Sequence, residues 1–382
     1  VTTLFVAAGG GGDALASVIL HRAGGGRDGE RPVIATYAWD RLLVDPLPGP
    51  RGLGSFTGLR QMGPRTFLIE GRSLPIAPAG STLPRVAAEL PVKLALLDPY
   101  GGGQGMAEQL RDAVSAFGID RVLVVDVGGD VVAHGDEPGL KSPLADALVL
   151  AASCDLPVPV DVAVVGVGLD GELPAEYVRQ RLRQVGGGTD TLLEPQDAEV
   201  VASLFEWHPS EATAMLAAAV AGARGVVEVR DSGTQIVLDD ACVQVWRCPA
   251  GPLAQASPLV SRLVGTATLD EVEDVVRDVC GFCEIDYERA KAAAAAAGPR
   301  EPVDVEAIEE RVTAFGVACA GRGADFVTFR RLAEAVGVPA GQEEYERFRA
   351  HLVRRWPHRA AVPVWSVRDS PPPQSVASLT GT

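Results

Sequence analysis

Carboxylates and glycines crowd into the same short stretches of this chain. The densest is Asp126-Val127-Gly128-Gly129-Asp130, followed closely by His134-Gly135-Asp136-Glu137. Acids gathered on a tight turn can give hard oxygen ligands to magnesium, or an acid and a base for proton transfer. They can equally accept hydrogen bonds from sugar hydroxyls. Asp126, Asp130 and Asp136 are therefore the candidate catalytic residues, Asp126 and Asp130 the candidate metal ligands, and Mg2+ the candidate cofactor. Gly128, Gly129 and Glu137 are candidate substrate contacts. Solvated loop acids would have the same composition, and His134 on its own reads as an ordinary surface histidine.

Three further loops have related chemistry. Gly9-Gly10-Gly11-Gly12-Asp13 lets backbone donors approach a ligand, and the helix that follows supplies a positive end for a phosphate or carboxylate. It lacks the Lys-Ser/Thr ending of a Walker loop and the spacing of a dinucleotide fingerprint. Asp13 would repel an anion unless it caps the helix or holds a cation; Gly10, Gly11, Gly12 and Asp13 are candidate substrate contacts on that footing. Asp98-Pro99-Tyr100-Gly101-Gly102-Gly103-Gln104-Gly105 combines a carboxylate, a phenol and glycines, so Asp98, Tyr100, Gly102 and Gly103 join the list. The alternative is a turn in which Asp98 receives backbone donors. Asp170, in Gly168-Leu169-Asp170-Gly171-Glu172, is a third contact, with Glu172 beside it. Arg41 offers a fork of donors for an anionic group. His208, with Glu206 or Glu211, is a candidate acid–base pair if folding brings it to the glycine loops. Asp146, just inside a helix, either faces the same cleft or answers the helix field. Cys280-Gly281-Phe282-Cys283 is an isolated CxxC and reads as inert thiols.

The elements that must position these loops recur in one pattern. A strand, a Gly/Asp loop and a helix follow one another over residues 4–23, 92–117, 122–153 and 160–185. Runs such as Val122–Val125 and Val160–Val167 are apolar throughout, as strands buried on both faces are. The expectation is an α/β fold: a Rossmann-like, doubly wound, mostly parallel sheet with the loops on one rim, and a smaller C-terminal helical region. The boundaries expected are a metabolite-binding core over 1–265, a helical region over 266–359 and a proline- and serine-rich tail over 360–382.

Composition bounds the function. The 382 residues include 47% hydrophobic but only 5% aromatic residues, so Ala, Val and Leu must fill the core. A formal charge of -16 argues against nucleic acid as a partner. Six cysteines in this length are too sparse for a disulfide-stapled secreted chain. The opening Val-Thr-Thr-Leu-Phe-Val-Ala-Ala reads as a first core strand rather than a signal peptide, and no apolar run is long enough for a membrane span. The expectation is a cytoplasmic protein whose partner is a small polar metabolite, with homo-oligomerisation an open option.

The Gly9–Asp13 and Asp126–Asp130 stretches, with Asp136-Glu137 and Ser142-Pro143-Leu144-Ala145-Asp146, resemble the uncharacterised DUF1152 family over roughly residues 1–355. The resemblance implies an α/β metabolite enzyme and supplies no catalytic assignment. Two functions stand side by side at this point. One is an enzyme acting on a small polar metabolite, phosphorylated or nucleoside-like, by transfer or hydrolysis. The other is a noncatalytic metabolite sensor with a C-terminal partner module.

Overall fold

The structure is a computed structural model that describes residues 1–27, 29–230, 233–297, 305–339, 341–361 and 363–368. A nine-stranded sheet runs through the molecule. Its centre holds five parallel strands in the spatial order Val160–Val165, Arg121–Val127, Thr3–Ala7, Val33–Tyr37, Lys93–Leu97. Strand Thr3–Ala7 alternates cleanly: Phe5 and Ala7 enter the core on one face, Leu4 and Val6 the core on the other. Helix Gly11–Ala23 covers the first face and helix Pro143–Ser153 the second. The latter is buried along its whole length, with helices Pro258–Leu263 and Leu269–Cys280 in the same core.

The expectation of a mostly parallel, Rossmann-like doubly wound sheet is not met. Both outer pairs of the large sheet are antiparallel: Gln244–Pro249 and Gly188–Leu192 on one side, Phe67–Ile69 and Arg60–Gln61 on the other. A second, five-stranded sheet is antiparallel except for one pairing. Antiparallel pairing is thus the commoner kind in the molecule. The error has a physical source. Continuous apolar runs mark strands buried on both faces, and those form only the centre; of the flanking strands, Gln244–Pro249 and Gly188–Leu192 mix polar with apolar residues, and Phe67–Ile69 and Arg60–Gln61 have only three and two residues.

The C-terminal region is not simply helical either. Strand Phe326–Thr328 lies in the middle of the second sheet, beside Gly225–Val229 on one side and Val364–Ser366 on the other. Three-residue strands between helices give too little alternation to be read from sequence. Trp365, 1% exposed, packs in a third core with Phe329, Leu332 and Phe348. The Val364–Ser366 strand falls inside the segment expected as a tail; residues 369–382 of that segment lie outside the described residues. Helices occur throughout the chain.

Chain order around strand Thr3–Ala7 positions the site. The next two parallel strands are added on one side of it and the Arg121–Val127 strand on the other. The connections leave these two neighbours in opposite directions, the position at which open α/β sheets form a crevice beyond the C-terminal strand ends.

Candidate functional site: a buried carboxylate cluster

Three layers meet in that crevice, and each contributes an acid. Asp126 is the last but one residue of strand Arg121–Val127 and points to the face covered by helix Pro143–Ser153. Asp146 comes from the first turns of that helix. Asp13 comes from the first turn of helix Gly11–Ala23, on the opposite face. One oxygen from each lies within 4.8 Å of the others, and all three residues are buried. Asp13 Oδ2 accepts the Gly9 amide at 2.7 Å, and Asp126 Oδ2 accepts the Val131 amide at 3.2 Å. Asp146 Oδ1 is buried with no hydrogen-bond partner among the described residues.

Asp130 and Asp170 stand next to this triangle. Strand Arg121–Val127 ends in Gly128 and Gly129, at φ 124° and 119°, a backbone region that glycine reaches without strain. A Cβ at Gly128 would stand 2.3 Å from Asp170 Cγ, so the glycine is what lets the Asp170 loop close on the strand. Asp170 Oδ1 accepts the Glu172 amide at 3.0 Å, while Oδ2 has no partner. Glu172 is anchored by the Lys141 and Ser142 amides, at 2.6 and 2.9 Å, and by Arg230 at 2.9 Å.

Crowding shows in the acidities. Burial, then Asp13 and Asp170, push Asp126 well above the usual carboxylate range. Burial and the neighbouring aspartates do the same to Asp130 and Asp146. Asp13 is raised to about 7 by burial, opposed in part by the Gly9 amide. Asp170 is raised to about 7 by burial and by Glu172. Glu172 goes the other way: burial raises it, but Arg230 and the Ser142 hydroxyl outweigh that and lower it. Like charges packed this closely must be neutralised by protons or by a cation. Oxygens sharing a six-coordinate Mg2+ stand about 3 Å apart in cis and about 4 Å in trans, so small side-chain rotations would close the triangle on one ion.

The remaining expected residues divide. Gly10, at φ 109°, begins the turn into helix Gly11–Ala23, and Gly12 lies against Ser210, whose Oγ a Cβ would meet at 2.5 Å. His208 is 4% exposed and lies beside Gly11. Its Nδ1 accepts the Ser210 amide at 3.3 Å, its Nε2 has no partner, and burial lowers the imidazole to about 3. The expected pairing with Glu206 or Glu211 does not form among the described residues. Arg41 is within electrostatic reach of Asp13 and Glu172. Its side chain is open to water yet hemmed in by protein, and that enclosure, with the nearby Arg330, lowers its pKa.

Asp98 does not join the cluster. Its oxygens accept the Tyr100 and Leu53 amides at 3.0 and 2.9 Å. Gly102 and Gly103 pack on the backbone of Leu263 and Thr266, and Tyr100 is half-exposed with its hydroxyl on Pro50 O. That loop is filled by protein. Asp136 forms a separate group with His134 and Glu137, whose donor atoms also lie within 4.8 Å of one another. Glu137 there is occupied by the His134 and Gly135 amides and the Tyr177 hydroxyl. Cys280 and Cys283 are raised to about 12 and about 11 by burial, as inert thiols are.

Sequence reasoning did not place Glu284. It is buried at the start of helix Glu284–Ala297, its Oε1 accepts the Leu144 amide at 2.6 Å, and its Oε2 has no partner. Burial raises it to about 8. No local signal marks it, because it reaches helix Pro143–Ser153 from 140 residues away. A cavity of about 380 Å3 near Arg22, Glu194 and Gln196 lies at the far end of helix Gly11–Ala23, roughly 15 Å along the axis from Asp13. It holds none of the strained acids, and the chemistry points to the crevice instead.

Fold and site together define an α/β protein with a cation-competent carboxylate cluster at the crevice of its central parallel strands. The chain belongs to the DUF1152 family, described as proteins of unknown function, which it matches over residues 4–292. No curated protein and no solved structure matches it.

Proposed function

We infer that this chain is a Mg2+-dependent enzyme acting on a small polar metabolite, with Asp13, Asp126 and Asp146 as the cation ligands. The observation that carries the reading is the convergence of these three buried acids from three separate elements, with one Asp146 oxygen unsatisfied. Uncompensated buried carboxylates are costly, and a divalent cation relieves that cost directly. Asp130 and Asp170, beside the ion, would orient a water or a substrate hydroxyl. A bound cation would supply charge stabilisation for an oxygen developing negative charge. Transfer and hydrolysis both draw on that set.

Six cysteines without a disulfide suit a reducing, cytoplasmic setting. Among the described residues no helix is long and apolar enough to cross a membrane. The test is calorimetric titration of the purified chain with Mg2+ and Mn2+, followed by turnover assays on a pool of phosphorylated and nucleoside-like metabolites. Cation binding lost in Asp126→Asn, together with cation-dependent turnover, is the expected result. Absence of cation binding at millimolar concentration sinks the metal centre. Ligand protection without product at high protein concentration moves the assignment to a sensor.

A further inference from the structure

Beside the carboxylates lies a group of donors that no described residue satisfies. The first amides of an α-helix have no intrahelical acceptor, and helix Gly11–Ala23 begins with no side-chain cap. His208 faces that end: a Cβ built on Gly11 would stand 3.7 Å from Nε2. Because Nδ1 accepts the Ser210 amide, the neutral ring carries its proton on Nε2. That N–H is buried, in a residue only 4% exposed, and has no acceptor among the described residues. A buried unmet donor aimed at an uncapped helix start is an expensive arrangement for a turn with no ligand.

Protein packs closely around the side-chain faces of Gly11 and Gly12, so that only their amide ends are left for a ligand. Gly12 is fitted against Ser210 and Thr213, where a side chain would collide. Thr82, next to Gly11, has its hydroxyl committed to Asp40 at 2.7 Å. At the mouth, Arg230 is ion-paired to Glu172 at 2.9 Å and Arg330 to Glu211 at 3.2 Å. Arg41 is within electrostatic reach of both, and its guanidinium makes no hydrogen bond or ion pair among the described residues.

We propose that the Gly11 and Gly12 amides, the His208 Nε2–H and the Arg41 guanidinium form an oxyanion subsite that holds a phosphate group of the substrate next to the cation. The inference rests on the cation reading above and specifies its substrate class as a phosphorylated metabolite. It also resolves the conflict at the glycine loop. Asp13 would repel an anion at this helix start, but a divalent ion on Asp13 reverses the sign of the local field and can share a phosphate oxygen. His208 then acts as a fixed neutral donor, and proton transfer falls to other groups.

The test is titration of the full-length chain, 15N-labelled at histidine, with inorganic phosphate, with and without Mg2+. The His208 ring signals are identified by their loss in His208→Gln. In the wild type, a protonated Nε2 signal persists between pH 6 and 8 and moves on phosphate addition, more readily with Mg2+ present. His208→Leu is expected to weaken phosphate binding on the order of 10- to 100-fold, the effect of losing one hydrogen bond to a charged acceptor. His208→Gln, which returns an N–H near the Nε2 position, restores most of it. Arg41→Ala weakens binding a few-fold at low salt and less at high salt. A ring signal unmoved by saturating phosphate overturns the subsite, as does phosphate binding of wild-type strength in His208→Leu. Should the leucine variant fail to fold, the wild-type ring signal decides alone. Mn2+ calorimetry on the same samples separates the two proposals: a chain that binds phosphate through His208 without binding Mn2+ loses the metal centre and keeps the anion subsite.

Discussion

Individual side chains in this crevice are held in states they would avoid in water. Asp126 is 1% exposed and faces two other buried carboxylates, so its charge is unwelcome unless something neutralises it. Asp126→Asn removes that repulsion while keeping an acceptor for the Val131 amide. The expected outcome is a cation-free protein at least as heat-stable as the wild type at pH 8, in which Mg2+ no longer raises the melting temperature. Scanning fluorimetry with and without the ion reads both effects. A melting temperature that still climbs with Mg2+ in the variant would remove Asp126 from the ligand set. This is the expected relation between a functional site and stability: groups arranged for a ligand are strained without it.

At the level of elements, two features fix how the rim is built. Gly128 combines a φ of 124° with a 2.3 Å approach of any added Cβ to Asp170. Gly128→Ala therefore meets both backbone strain, on the order of 1–3 kcal/mol, and a displaced Asp170 loop. Chemical denaturation should show the loss, and, if the proposed cation site holds, cation affinity should fall with it because Asp170 stands beside that cluster. The second feature is the buried carboxylate of Glu228, fully enclosed in strand Gly225–Val229 and held by Arg322 at 2.8 Å and Arg331 at 3.1 Å. It ties that strand to the helix Phe329–Val336 that follows its parallel neighbour. Glu228→Ala leaves Arg331 without its carboxylate, a change worth roughly 3–5 kcal/mol when a buried pair is broken. Denaturant unfolding measures it. Cation binding at the distant aspartates should be unchanged in the fraction that stays folded.

For the molecule as a whole, the crowded acids tie stability and cation binding to pH. Asp13 and Asp170 sit at about 7 when folded, raised first by burial, against about 3.9 in an unfolded chain. Their folded values lie above their unfolded ones, so the folded state holds more protons between those limits. The stabilisation is complete below about pH 4 and is lost as pH rises through about 7. Cation-free protein should therefore melt at lower temperature at pH 8 than at pH 6. A divalent ion competes with the same protons, so its affinity should rise over that interval, with proton release on binding that shrinks above pH 7. Calorimetry in buffers of different ionisation enthalpy counts those protons. An affinity flat from pH 6 to 8.5 would show that the aspartates are already ionised without the ion.

What the sequence determined by itself was local. Apolar runs such as Val122–Val125 gave the central strands, and glycine–aspartate turns marked where those strands end, because both signals arise from neighbours along the chain. Asp13, Asp126, Asp130 and Asp170 were legible for that reason. Asp146 carried a signal that fitted a helix start equally well, and Glu284 carried none. Strand direction, the second sheet, and the separation of Asp98 and Asp136 from the cluster were decided only by tertiary structure. Short edge strands take their pairing from partners far away in sequence, and a carboxylate's role depends on which donors and charges the fold brings to it. Asp98 and Asp126 lie at the C-terminal ends of similar strands; the first meets two backbone amides and becomes a cap, while the second meets two more acids and joins a buried cluster.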